Sequence, residues 1–121
     1  MHILLADKQA EVRSALRFLL EQELGMSVVG EVAEASALLT QAAAVQPDVV
    51  LLDWELPGLL ATNLLPTLHS GGRVTIVIAL SGRPEARWAA LEAGVDAFVS
   101  KGDPPERLLA LLHAVRDGGE T

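Results

Sequence analysis

The sequence predicts an α/β chain of one domain, a parallel sheet covered by helices on both faces. Three observations carry this reading. Apolar runs of strand length alternate five times with segments of helical periodicity. The strand candidates, Val49-Val50-Leu51-Leu52 among them, are apolar throughout, as strands buried on both faces are. Half of the 121 residues are hydrophobic but only 3% are aromatic, so the core must be built from Leu, Val, Ile and Ala. That length fits one domain. Right-handed crossovers reduce the topology to a doubly wound sandwich.

The elements follow in order. His2 to Ala6 reads as a strand. Ala10 to Leu24 follows as a helix, with Val12, Ala15, Leu16, Leu19, Leu20 and Leu24 at helical spacing and Gly25 placed to end it. Ser27 to Val32 is the second strand, and Ser36 is the expected N-cap of a helix running through Val45. Gln46-Pro47 breaks the chain before a third strand, Asp48 to Leu52. Pro57-Gly58 is a turn signal, followed by a weak helix from Leu59 to Leu68 with Pro66 inside it. Gly71-Gly72 opens the fourth strand, Val74 to Leu80. Pro84 fits the first turn of a helix that closes at Gly94. Ala97 to Ser100 is a short fifth strand. Pro104-Pro105 starts the last helix, with Leu108, Leu111, Leu112 and Val115 on one face and Gly118-Gly119 at its end. No repeat, linker or low-complexity tract interrupts the pattern.

Composition excludes several classes. A net charge of -7 with nine scattered basic residues is wrong for a surface that displaces counterions from DNA. There are no cysteines, which rules out disulfides, thiolate catalysis and thiolate metal sites. His2, His69 and His113 are dispersed, so no histidine metal cluster is expected. No apolar run approaches the ~18 residues of a membrane helix, and the short N-terminal run is no signal peptide. A cytoplasmic protein with no membrane contact is the expectation.

Four polar residues stand at the ends of four apolar runs: Asp7, Asp53, Ser81 and Lys101. In a parallel sheet those ends share one edge, where open α/β folds bind ligands beside the reversal of winding. A strand-end aspartate such as Asp53 can act as nucleophile toward a phosphoryl group, giving an acyl phosphate. Phosphoryl transfer then calls for charge stabilisation. Mg²⁺ held by one or two carboxylates supplies it, with Asp7 as a metal ligand, Lys101 as a point charge and Ser81 as a hydroxyl donor. Lys8, beside Asp7, stands where a second acid would make a better cation site.

The segments Ile3-Leu-Leu-Ala-Asp7, Pro47-Asp-Val-Val-Leu-Leu-Asp53, Leu56-Pro-Gly58, Ala79-Leu-Ser81 and Ala93-Gly-Val-Asp-Ala-Phe-Val-Ser-Lys101 occur in order with strand–helix spacing between them. Together they resemble the receiver domain of bacterial two-component response regulators, and the resemblance covers the whole chain. It implies a flavodoxin-like (βα)5 fold with strand order 2-1-3-4-5. It also implies roles. Asp53 matches the phosphoacceptor, and Asp7 the first acid of the metal-binding pair. Glu55 matches the position whose main-chain carbonyl reaches the metal. Ser81 matches the switch hydroxyl, Lys101 the lysine paired with the phosphoryl group, and Phe98 the aromatic that moves inward with the switch. Val28-Val-Gly-Glu-Val32, Lys101-Gly-Asp without a following proline, and Ala114-Val-Arg-Asp-Gly-Gly-Glu-Thr121 resemble the subgroup with a LuxR-type helix-turn-helix output domain. The implied partners are a sensor histidine kinase, a second copy of the chain through the last two helices and strand, and DNA only through an output domain absent from these residues. The chain then reads as one receiver domain, residues 1–121, of a longer regulator. Any enzymatic activity would be limited to self-phosphorylation and autodephosphorylation at Asp53.

Three positions depart from the family pattern. Lys8 replaces the second acid, and Leu60-Ala61 replaces an Asp-Gly pair in the loop after Asp53. An ammonium in place of a carboxylate changes the local charge by two units. At about 4 Å and an effective dielectric of ~20, unit charges interact by ~4 kcal/mol. Mg²⁺ is therefore the cofactor the resemblance implies and Lys8 argues against, provided that Lys8 points inward to pair with Asp7 or Asp53. The alternative reading is a pseudo-receiver that works without phosphorylation or Mg²⁺ as a dimerisation or partner-binding module. Two enzyme classes on similar folds fit poorly. The loop Asp7-Lys8-Gln9-Ala10 lacks the glycines and hydroxyls of a flavin phosphate loop, and Gln9 breaks the Asp-x-Asp of an aspartate-nucleophile phosphatase.

Overall fold

A computed structural model describes residues 1–61, 63–70 and 75–118. The strands are β1 (His2–Ala6), β2 (Ser27–Val32), β3 (Val49–Asp53), β4 (Ile76–Ser81) and β5 (Ala97–Ser100). They form one parallel sheet in the order β2-β1-β3-β4-β5. The helices are α1 (Ala10–Glu21), α2 (Ala35–Val45), α3 (Leu64–His69), α4 (Arg87–Ala93) and α5 (Pro105–Arg116). The strands alternate their side chains between two cores. Ile3, Leu5, Leu51, Ile78 and Val99 face Leu20 of α1 and Leu108 and Leu112 of α5. Leu4, Val50, Leu52, Val77 and Phe98 face Leu38 of α2, Leu64 and Leu68 of α3 and Ala90 of α4. With both faces covered, the central strands β1, β3 and β4 run almost continuously apolar, while the edge strand β2 carries the exposed Ser27 and Glu31.

Several boundaries differ from the sequence expectation, each for a local reason. Helix α1 stops at Glu21, three residues before Leu24, which is 90% exposed. The turn beyond it is held by tertiary partners: Arg116 Nη1 donates to the Leu24 carbonyl at 2.7 Å, and the N-terminal ammonium donates to the Gly25 carbonyl. Ser36 is not an N-cap. Glu34 takes that position, the Ala35 N–H is satisfied by the Pro57 carbonyl at 2.9 Å, and Ser36 Oγ donates to Glu34 Oε1 at 2.6 Å. The single weak helix from Leu59 to Leu68 is two pieces, a 3-10 turn at Leu59–Ala61 and then α3. Pro66 lies in the first turn of α3, where its missing N–H has no intrahelical acceptor to lose. Pro84 opens a 3-10 turn, Pro84–Ala86, that leads into α4. Gly94 ends α4 at φ 112°, a left-handed conformation open to glycine at little cost. Strand β3 begins at Val49 and includes Asp53, and β4 begins at Ile76 and includes Ser81. The expected roles of Gly71-Gly72, Val74 and Gly119 lie outside the described residues.

Winding reverses between β1 and β3, the central pair of the switch. Ala6 pairs with Leu52, so Asp7 and Asp53 leave the sheet side by side. Asp53 pairs with Leu80, and Ser81 with Ser100, which brings the next two strand ends to the same edge.

Candidate phosphoryl-acceptor site

Backbone hydrogen bonds extend the ladder past the strand ends and fix the site residues. Asp7 N–H donates to Val32 O at 3.0 Å, Trp54 N–H to Leu80 O at 2.8 Å, and Lys101 N–H to Ser81 O at 2.8 Å. Asp7 and Asp53 are each 2% exposed, and Ser81 is fully buried. Lys101, with its side chain 24% exposed, reaches across to both acids. Its Nζ lies 2.8 Å from Asp7 Oδ2 and 3.4 Å from Asp53 Oδ1. The loops supply the remaining donors. Gln9 N–H binds Asp7 Oδ1 at 2.8 Å, and Glu55 N–H binds Asp53 Oδ1 at 3.0 Å. Among the described residues Asp53 Oδ2 accepts no hydrogen bond, yet no buried side-chain oxygen lacks a partner.

The electrostatics are those of two acids sharing one cation. Burial pushes the Asp53 carboxyl above its ordinary value, and the Asp7 charge adds to this; the Glu55 N–H and the Lys101 ammonium oppose the shift without cancelling it. Burial works against the charge on Lys101, but its hydrogen bond to Asp7 and the charge of Asp53 prevail and raise its pKa.

Lys8 does not fill the role expected of it. Its side chain is exposed and makes no ion pair among the described residues, while Lys101 makes both contacts expected of a built-in cation. Mg²⁺ fits this donor set, though thinly. One or two carboxylates plus phosphate oxygens commonly hold it. Here Asp7 and Asp53 converge on a single cation position. Among the described residues no third Asp, Glu, His or Cys joins them, and the ammonium of Lys101 competes for the place.

Glu55 enters by its side chain as well as by its backbone. Ser81 Oγ donates to its carboxylate, 3.1 Å from each oxygen, and Arg83 grips Glu55 Oε2 from Nη2 at 2.8 Å and Nε at 3.2 Å. Ser81 Oγ in turn accepts from Arg83 N–H at 3.0 Å. Sequence reasoning missed Arg83 and this use of Glu55. The available signal was their placement: opposite charges, each two residues past a site residue, on loops leaving neighbouring parallel strands. Phe98 lies away from the acids. It is buried between α4 and the sheet, with the Arg87 guanidinium 5.3 Å from its ring centre.

Comparison with known proteins identifies the family of this fold. The response regulator receiver domain family matches residues 3–113. The nitrate/nitrite response regulator protein NarL of Escherichia coli K12 is 31% identical over 119 residues, covering 96% of this chain and 55% of the relative. The transcriptional regulatory protein DesR of Bacillus subtilis is 30% identical over 116 residues, covering 96% and 58%. The chain thus spans about half the length of the curated relatives it matches. A crystal structure of a LuxR-family two-component response regulator from Aurantimonas sp. SI85-9A1 superposes with a TM-score of 0.82 at 28% identity, covering 97% of this chain and 85% of that one. Fold, strand order and sequence match agree: the chain belongs to the response regulator receiver domain family of two-component systems, with LuxR-family regulators among its relatives.

Proposed function

We propose that this receiver accepts a phosphoryl group on Asp53 from a histidine kinase and passes the change to a transcriptional output domain. One observation carries the reading. Asp53 presents one oxygen, Oδ2, that accepts no hydrogen bond among the described residues, at a rigid strand end, with the Lys101 ammonium 3.4 Å from its other oxygen. In the transfer, Oδ2 attacks phosphorus and the bond from phosphorus to the kinase imidazole nitrogen breaks. The electron pair stays on that nitrogen, and the product is an aspartyl phosphate. Lys101 then faces added negative charge and turns from the carboxylates toward the phosphoryl oxygens. Asp7 and Asp53 would hold Mg²⁺, whose chemistry is to neutralise phosphoryl charge. The setting this reading implies is the cytoplasm, where kinase and output domain meet. Dimerisation through α4, β5 and α5 is part of the same proposal. Trp88 on α4 is 76% exposed, and large exposed aromatics often anchor interfaces.

Phosphoramidate with Mg²⁺, followed by intact mass, tests the proposal. The parent chain should gain the mass of one phosphoryl group and Asp53→Ala none. A chain that stays unmodified both as the parent and with Glu55→Ala would leave the phosphate-independent partner module as the better reading.

A further inference from the structure

Of the site residues at the sheet edge, Ser81 directs its hydroxyl to Glu55 and to neither Asp7 nor Asp53. A serine hydroxyl has a single proton to donate. Here it goes to the Glu55 carboxylate, and Arg83 clamps that carboxylate with two guanidinium contacts. The Arg83 N–H occupies an acceptor site on Ser81 Oγ. The hydroxyl is therefore held from both sides in a fully buried position. We propose that Glu55, backed by Arg83, is a positioning residue that withholds the Ser81 hydroxyl from the phosphoryl group and so slows phosphorylation of Asp53.

The proposal rests on Asp53 being the phosphoacceptor. In phosphoryl transfer, donors aimed at developing charge lower the barrier. A hydroxyl committed to Glu55 contributes nothing until that contact breaks. Glu55 is itself an anion, and its backbone N–H already binds Asp53 Oδ1 at 3.0 Å, so the carboxylate also sits close to where an anionic donor must arrive. The Arg83–Glu55 pair is partly solvent-exposed, with side chains 57% and 35% accessible. A contact of that kind adds little to stability, so its removal should leave the fold intact. Its consequence is kinetic: Ser81 is released only when Glu55 swings away with Arg83.

The test is the rate at which phosphoramidate modifies Asp53, read by intact mass in four proteins: parent, Glu55→Ala, Ser81→Ala and the double variant. In this reaction the donor P–N bond breaks, the Asp53 Oδ2–P bond forms, and nitrogen leaves as ammonia. We expect Glu55→Ala to react about tenfold faster, equivalent to ~1.4 kcal/mol, the scale of one hydrogen bond to a charged group. In the Ser81→Ala background the same substitution should gain only about twofold, the part due to removing a negative charge. A gain from Glu55→Ala that is equal with and without Ser81 would overturn the latch and leave Asp53 as phosphoacceptor. No adduct in any of the four would overturn both readings. Acceleration from an unreactive parent, lost on Ser81→Ala, would support the latch most strongly.

Discussion

At the scale of single residues, Asp53 and Lys101 set opposite demands. Folding raises the Asp53 pKa through burial, so between its unfolded and folded values the native state binds more protons than the unfolded one. The stability this contributes is complete below the ordinary carboxylate value and is lost as pH rises through the folded value. Asp53→Asn removes that loss. It should raise stability at pH 7 by about 1 kcal/mol and the unfolding midpoint by about 3–5 °C, with the gain vanishing below about pH 4. Thermal melts of both proteins across pH check this. Lys101 is the reverse case: its raised pKa means that its contribution is present throughout neutral pH and fades only in strong alkali. Lys101→Ala leaves Asp7 and Asp53 facing each other uncompensated, at a cost of about 2 kcal/mol. Mg²⁺ should then stabilise the variant more than it stabilises the parent, since ligand binding to the native state alone shifts unfolding. Urea unfolding with and without Mg²⁺ reads this, and equal Mg²⁺ effects would rule out the shared cation position. The acids and Lys101 were legible in sequence because each stands at or just past a strand end, where backbone pairing fixes its place. The Glu55–Ser81–Arg83 cluster was not, because it depends on how three side chains turn above the sheet edge. Lys8 misled for the same reason: its neighbour Asp7 points into the site while Lys8 points out to solvent.

At the scale of elements, apolar runs marked four of the five strands, while helix ends escaped. Leu24 fits the helical period of α1 by spacing, yet the helix ends three residues earlier because Arg116 and the N-terminus capture the following turn. Periodicity reports which face is apolar; tertiary partners decide where a helix stops. Helix α1 is fastened lightly. Leu20 is its one fully buried side chain among the described residues, and an apolar hollow of about 550 Å³ lies between α1 and α5. Arg13 and Arg17 add ion pairs to Glu31 of β2, at 3.1 and 2.6 Å. The Glu31 carboxyl is lowered by its hydrogen bond to Arg17, and Arg17 is raised by the same bond. Partly exposed pairs of this kind contribute little, so Leu20 should dominate. Leu20→Ala is expected to cost about 3 kcal/mol, and Leu24→Ala, at an exposed position, less than about 0.5 kcal/mol. Urea midpoints of the two variants provide the check, and similar losses would contradict the placement of the helix end.

At the scale of the whole molecule, the two-sided core holds the sheet edge rigid and leaves signalling to surfaces around it. The net charge of -7 is wrong for a surface on these residues that displaces counterions from DNA. Trp88 is the residue through which the proposed self-association is most simply tested. Trp88→Ala should leave stability within about 0.5 kcal/mol while weakening association at least about tenfold in sedimentation experiments. Unchanged association would move the interface elsewhere. The family and strand order could be read from the ordered motifs, because a parallel sheet with short loops admits few other topologies. The direction in which Ser81 points, and hence the readiness of the site, required the structure. The central claim is that Asp53 carries the phosphoryl group. Borohydride reduction of phosphoramidate-treated protein, followed by peptide mass mapping, tests it most directly, since reduction of an aspartyl phosphate leaves homoserine. The account predicts homoserine at position 53; homoserine elsewhere, or at no position, would contradict it.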